Sequence, residues 1–175
     1  MVTAIAQRSA GRTCGTCSLC CKLLGIGELD KKPGAWCSKC DPPHGCTIYE
    51  SRPTECREFA CVWLESARLG DAWKPSRSRI VLYMIDGGER LIAHVDAGSP
   101  DAWRREPYYA QLKAWARSGI RSGPKVVVRI DNRLIAILPD RDVDLGDVRP
   151  GDAVMIGENP SGVGPTFIAK VVGES

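Results

Sequence analysis

A chain of 175 residues with a net charge of +3 and 43% hydrophobic residues has room for one ordinary core, or for a small metal-stapled module joined to a compact domain of about 100 residues. The charge is too mild to argue for nucleic acid, and no run approaches the roughly 18 apolar residues of a membrane span. All nine cysteines (Cys14, Cys17, Cys20, Cys21, Cys37, Cys40, Cys46, Cys56 and Cys61) fall in the first 61 residues, which places the chemistry there.

Residues 1–13 have no periodicity or fixed turn and read as a loose N-terminus. They lack the apolar stretch of a secretory signal, so a cytoplasmic location is expected. In a reducing compartment a disulfide framework is disfavoured, and an odd number of cysteines would leave one unpaired. Metal ligation is the better reading.

Residues 14–70 read as the metal module. Its turns, Lys31-Lys32-Pro33-Gly34 and Asp41-Pro42-Pro43-His44-Gly45, are poor in apolar side chains, so metal–sulfur bonds would have to hold it together. Cys14-x-x-Cys17 and Cys37-x-x-Cys40 are knuckles in which two sulfurs converge on one ion. Adjacent Cys20 and Cys21 point in different directions on any regular backbone, which suits two metals better than one. Ser51-Arg52-Pro53-Thr54-Glu55 predicts a helix start, with the helix running to about Leu69. On an unbroken helix Cys56 and Cys61 would stand roughly 140° apart, so either the helix breaks or they serve different ions.

Three stoichiometries fit: two Cys₄ zinc sites with one thiol over, a trinuclear zinc cluster using all nine, or an iron–sulfur cluster taking four. Arg12, Lys22, Lys31, Lys32, Lys39, Arg52 and Arg57 could offset the negative charge. Cys61, within Phe59-Ala60-Cys61-Val62-Trp63, is the cysteine best suited to the core. His44 reads as a loop histidine and His94 as a structural one.

Residues 71–175 read as an α+β domain, an antiparallel sheet with one or two helices. Ile80–Ile85 and 91–95 flank Asp86-Gly87-Gly88-Glu89 as a hairpin. A short helix opens at Ser99-Pro100-Asp101, and a second runs from Pro107 to a C-terminal cap at Gly119. Segments 126–130 and 134–138 form another hairpin, and 154–156 and 167–172 two further strands. Between positions 104 and 133 the chain is basic, and between 140 and 152 acidic; the two stretches could face each other.

Cys14-x-x-Cys17-x-x-Cys20-Cys21, followed by Gly45-Cys46-Thr47-Ile48-Tyr49 and Arg52-Pro53-Thr54-Glu55-Cys56-Arg57-Glu58-Phe59, resembles the zinc- or iron-chelating CxxCxxCC family, the YkgJ-like group. The resemblance covers about residues 12–63. It implies that Cys14, Cys17, Cys20, Cys21, Cys46 and Cys56 are metal ligands, with Cys37 and Cys40 as intervening cysteines, and it implies no shared reaction.

The function expected is a metal-binding module of structural or interaction type, holding two or three zinc ions and open to an unidentified protein partner. An iron–sulfur redox protein or oxidoreductase subunit is the alternative. Nucleic-acid binding through the basic stretch, with Trp103, Tyr108, Tyr109 and Trp115 as stacking groups, is weaker than a solvated helix face over an apolar stripe. Two histidines and no nucleophile motif argue against a hydrolytic enzyme, and an all-thiolate zinc site lacks the open position that catalysis needs.

Overall fold

The structure, a computed structural model, describes residues 11–173; most of the expected loose segment 1–13 lies outside them. The chain is α+β. Its elements are α1 (Leu19–Leu23), β1 (Cys40–Asp41), β2 (Gly45–Cys46), α2 (Thr54–Glu58), α3 (Val62–Glu65), α4 (Pro75–Ser78), β3 (Ile80–Ile85), β4 (Arg90–Val95), α5 (Tyr108–Gly119), β5 (Lys125–Ile130), β6 (Arg133–Ile137), β7 (Asp142–Asp147), β8 (Ala153–Glu158) and β9 (Phe167–Val172).

Strands β3 to β7 form one sheet in chain order. Both expected hairpins are present, β3 with β4 and β5 with β6. Positive φ angles at Asp86, Gly87 and Gly88 close the first, and at Asp131 the second. The sheet is not purely antiparallel, however, because β4 and β5 run parallel, with Leu91 opposite Val126. The connection between them carries α5, and a helical crossover of that length is what a parallel pair requires.

Strand β7 occupies the acidic stretch. Arg133 binds Asp144 and Lys113 binds Asp142 at 3.3 Å, so the basic and acidic stretches do face each other in part. A charged edge strand also blunts further pairing. Strands β8 and β9 form a separate ribbon rather than extending the sheet.

Gly119 does not cap α5 in a left-handed conformation; Ile120 after it is still helical. The glycine is there for clearance, since a Cβ at this position would lie 2.3 Å from the Pro124 carbonyl oxygen.

The expected helix to Leu69 is broken into α2 and α3 by the extended residues Phe59 and Cys61. Leu19 and Leu23 of α1, with Cys61, Trp63 and Leu64, join the same hydrophobic cluster as the sheet residues Val81, Leu82, Val126 and Val128. The cysteine-rich segment is therefore docked on the sheet through α1 and α3. Among the described residues no helix is long and apolar enough to cross a membrane.

Candidate metal centre

The Cys14–Cys17 turn closes through Cys17 N–H donating to the Cys14 carbonyl at 2.9 Å. Arg12, just before it, donates to the carbonyls of Trp63 and Ser66 at 2.6 Å and of Leu69 at 2.5 Å, with its guanidinium over the Trp63 ring. This clamp ties the residue ahead of the first knuckle to α3 and to the turn that follows it; Cys61 is the N-cap of that helix. Gly45 closes the other side, its missing Cβ leaving space beside the Gly15 carbonyl, 2.9 Å from where that atom would sit.

The second knuckle is held in the same way. Cys40 N–H donates to the Cys37 carbonyl at 3.0 Å, Lys39 N–H to Cys37 Sγ at 3.4 Å, and Cys37 N–H to the Cys21 carbonyl at 3.1 Å. The β1–β2 ladder sets Cys40 opposite Cys46. Helix α1 contributes Cys20 and Cys21, and α2 contributes Cys56. Glu55 locks α2 in place, accepting from Gly27 N–H at 2.7 Å while its own N–H donates to Glu28 at 3.2 Å.

These pieces enclose a cavity of about 100 Å³ walled by every cysteine except Cys40, together with apolar groups such as Leu24, Ile26, Ile48 and Phe59. All nine cysteines are free. Breaking the helix between α2 and α3 removes the angular conflict between Cys56 and Cys61, and both face this cavity. Cys20 and Cys21, though adjacent, shift each other's ionisation in opposite directions.

Crowded thiols share few protons' worth of charge. The hydrogen bond from Cys20 brings Cys21 down to about 6, helped by Cys40 and Lys31 and opposed by burial. Cys20 is correspondingly pushed well up, by that same contact and then by burial. Burial lifts Cys40 and Cys61 to about 11, and raises Cys56 as well. Of the shifted thiols Cys21 is the one favoured as a thiolate, and a bound cation would have to displace the protons held on Cys20, Cys40, Cys56 and Cys61.

Lys31 is a cation whose charge acts on Cys21. Its ammonium donates to the carbonyls of Lys22, at 2.7 Å, and Leu24. Burial lowers its pKa, and the neighbouring Cys37, Cys21, Cys20 and Cys56 oppose that shift.

Among the described residues no group of three or more His, Cys, Asp or Glu side chains stands arranged to hold a metal ion. The thiols share a cavity without converging on one point. Two further atoms bear on whether a thiolate-bound metal suits this cavity. Arg52 Nε and Trp63 Nε1 are buried donors without a hydrogen-bond partner, and both residues line the cavity. Metal-bound sulfur accepts hydrogen bonds of this kind, so the donor set fits soft or borderline metals.

Neither histidine is at the cavity. His44 is exposed and pairs with Asp41 at 2.7 Å. His94 is buried in β4 with Tyr83 Oη 3.3 Å from its Nδ1. The aromatic groups considered for nucleic acid are engaged internally: Trp103 is 1% exposed, Tyr108 donates to the Ala72 carbonyl and Tyr109 to Asp142. The Arg12 clamp, the Glu28–Glu55 link and the two unpartnered donors carry no local sequence signal, because each depends on contacts across long stretches of chain.

No protein-family model matches the chain, nor does any curated protein or solved structure.

Proposed function

We propose that residues 14–61 build a multinuclear cysteine-thiolate metal centre, of the YkgJ-like kind, holding two or three zinc ions in a structural or interaction role. The observation that carries this reading is a single cavity walled by free thiols drawn from every part of the segment, with buried N–H donors unpaired beside them. Between positions 25 and 50 Ile26 and Cys37 are the buried hydrophobic residues, so apolar burial supplies little of what orders these loops. Zinc bound by four thiolates supplies folding energy and has no open position for substrate. Its part here is to staple α2 and the two knuckles to α1 and α3, which already share the core of the sheet.

Nine unpaired thiols suit a reducing compartment, and the cytoplasm is the location proposed. The ordered loops would present a surface to a protein partner.

Elemental analysis and an absorption spectrum on one oxygen-free preparation test the proposal. Two or three zinc ions per chain and no colour are expected. Stoichiometric iron with acid-labile sulfide and a broad visible absorption would overturn zinc in favour of an iron–sulfur redox protein. Protein that purifies and refolds with no metal at all would overturn both.

A further inference from the structure

We infer that Cys40 and Cys46 are a peroxide-sensitive thiol pair that closes to a disulfide, a modification site that withdraws both sulfurs from metal binding. The disulfide stands independently of the metal-centre reading, and its effect on metal loading rests on that reading.

Strands β1 and β2 set the two residues directly opposite each other, and among the described residues no other two cysteines pair across a ladder. Thr47 N–H donates to the Lys39 carbonyl at 2.9 Å. Lys39 and Thr47 therefore hold a hydrogen-bonded position, and Cys40 and Cys46 hold the next one, where side chains approach most closely. Cα atoms at such a position stand about 4.5 Å apart, and both side chains leave the same face of the ladder. A disulfide takes Cα separations of about 4.4–6.8 Å, so the bond needs side-chain rotation and no backbone shift. The turn fixes this register. His44 N–H donates to the Asp41 carbonyl at 2.8 Å, Pro42 and Pro43 have restricted φ, and Gly45 has a φ of +98°.

Access separates this pair from its neighbours. Cys40 and Cys46 are half-buried and flank a turn, residues 41–44, that is exposed. Cys37, three residues before Cys40, is buried, and its sulfur accepts from Lys39 N–H inside its own turn at 3.4 Å. Cys61 is buried as well.

The oxidant is a hydroperoxide. One sulfur of the pair, as thiolate, attacks a peroxide oxygen; the O–O bond breaks, water leaves with the proton that thiol gave up, and a sulfenic acid remains. The second thiolate attacks that sulfur, the S–O bond breaks, and a second water leaves with the second proton. Two electrons pass from sulfur to oxygen, so two thiols and one hydrogen peroxide give one disulfide and two waters. Thiol reductants reverse the step, and a transient disulfide of this kind suits a reducing compartment.

The test adds stoichiometric hydrogen peroxide to the reduced full chain, metal-free and zinc-loaded, followed by alkylation, non-reducing proteolysis and tandem mass spectrometry. The expected product carries Cys40 and Cys46 unalkylated and joined, lighter by two hydrogens, and dithiothreitol restores both thiols. A Cys37–Cys40 or Cys21–Cys40 link as the main product, a spread over many pairs, or thiols left unreacted would overturn the assignment. In the zinc-loaded arm, zinc release read by a chromophoric chelator should accompany the disulfide and reverse with it. Disulfide formation with zinc retained would overturn the effect on metal loading. A chain that takes no zinc would bring down the metal-centre reading and the loading effect together, while the metal-free arm still decides the disulfide.

Discussion

Lys22, the residue after the adjacent cysteine pair, donates to the carboxylate of Asp96 at 2.6 Å, and Asp96 is fully buried behind the end of β4. Arg79 and the Gly98 N–H bind the same carboxylate. One acid therefore ties α1, and with it Cys20 and Cys21, to the loop ahead of β3 and to the loop after β4. Burial would raise the Asp96 pKa, but the Lys22 hydrogen bond, Gly98 N–H and Arg79 together hold it below the usual carboxylate range.

Asp96→Asn should cost about 2–3 kcal/mol, because it leaves two cations without their anion. Lys22→Met should cost less, about 1 kcal/mol, since Arg79 and Gly98 still serve the carboxylate. Urea denaturation of the three proteins measures both, and equal losses would contradict the ranking. Because the folded pKa is depressed, the Asp96 contribution is complete above its unfolded value of about 3.9 and disappears as pH falls through the lower folded value.

Gly119→Ala separates two physical effects of opposite sign. Helix propensity alone favours alanine by about 1 kcal/mol. The new Cβ, however, would meet the Pro124 oxygen at 2.3 Å, a backbone atom that cannot rotate away. A net loss of about 1–3 kcal/mol is expected, and a gain in the urea midpoint would show that the loop before β5 gives way freely.

The hairpins were legible because β-branched runs surround residues that accept positive φ, at Asp86-Gly87-Gly88 and at Asp131. Strand β7 was not, because Asp142, Asp144 and Gly146 oppose strand formation; Lys113 and Arg133 fix it from elsewhere in the chain. The parallel pairing of β4 with β5 is decided by how α5 crosses the sheet, which no local pattern encodes. In the cysteine-rich segment the thiols announced themselves as a group. Their placement did not, since Arg12 reaches residues more than 50 positions away and the break at Phe59 and Cys61 reorients two of the candidate ligands.

His94 is 3% exposed, and burial, then Arg129 and Lys31, lower its pKa to about 4. The unfolded chain, with an ordinary value near 6.5, binds the proton first. Stability is therefore whole above about pH 6.5, declines as pH falls toward 4, and levels off below the folded value, a loss of about 2–4 kcal/mol from this one group. His94→Gln should flatten that interval. The comparison is the difference in unfolding free energy between pH 7 and pH 4.5 for each protein, which cancels the titration of the thiols common to both. An unchanged difference would show that His94 takes up its proton as readily in the fold as in the unfolded chain.

On the proposed zinc reading, removing metal should affect the molecule unevenly. Strands β3 to β6 carry the fully buried Ile80, Val126, Val128 and Ile137, whereas the loops between α1 and α2 have little apolar burial. Hydrogen exchange after anaerobic chelation is expected to expose amides across residues 25–60 and leave the sheet protected. Uniform exposure would mean that the sheet depends on the metal, and no change would mean that the loops do not.

Arg12 makes the sharpest link between packing and the proposed metal centre. Its guanidinium satisfies three carbonyls around α3 and covers the Trp63 ring at 4.8 Å. Charge-assisted hydrogen bonds to buried carbonyls are worth about 1.5–3 kcal/mol, so Arg12→Ala should destabilise the chain by about 2 kcal/mol. The larger consequence is local. Without the clamp the Cys14–Cys17 turn is no longer held beside Cys61, and the entropy of closing that loop must come out of metal binding. Zinc affinity should fall about 10-fold or more, as read by competition with a chromophoric chelator. Arg12→Lys should recover little, because a compact ammonium lacks the guanidinium fork that reaches all three carbonyls. Unchanged zinc affinity would show that the clamp stabilises α3 without shaping the thiol site.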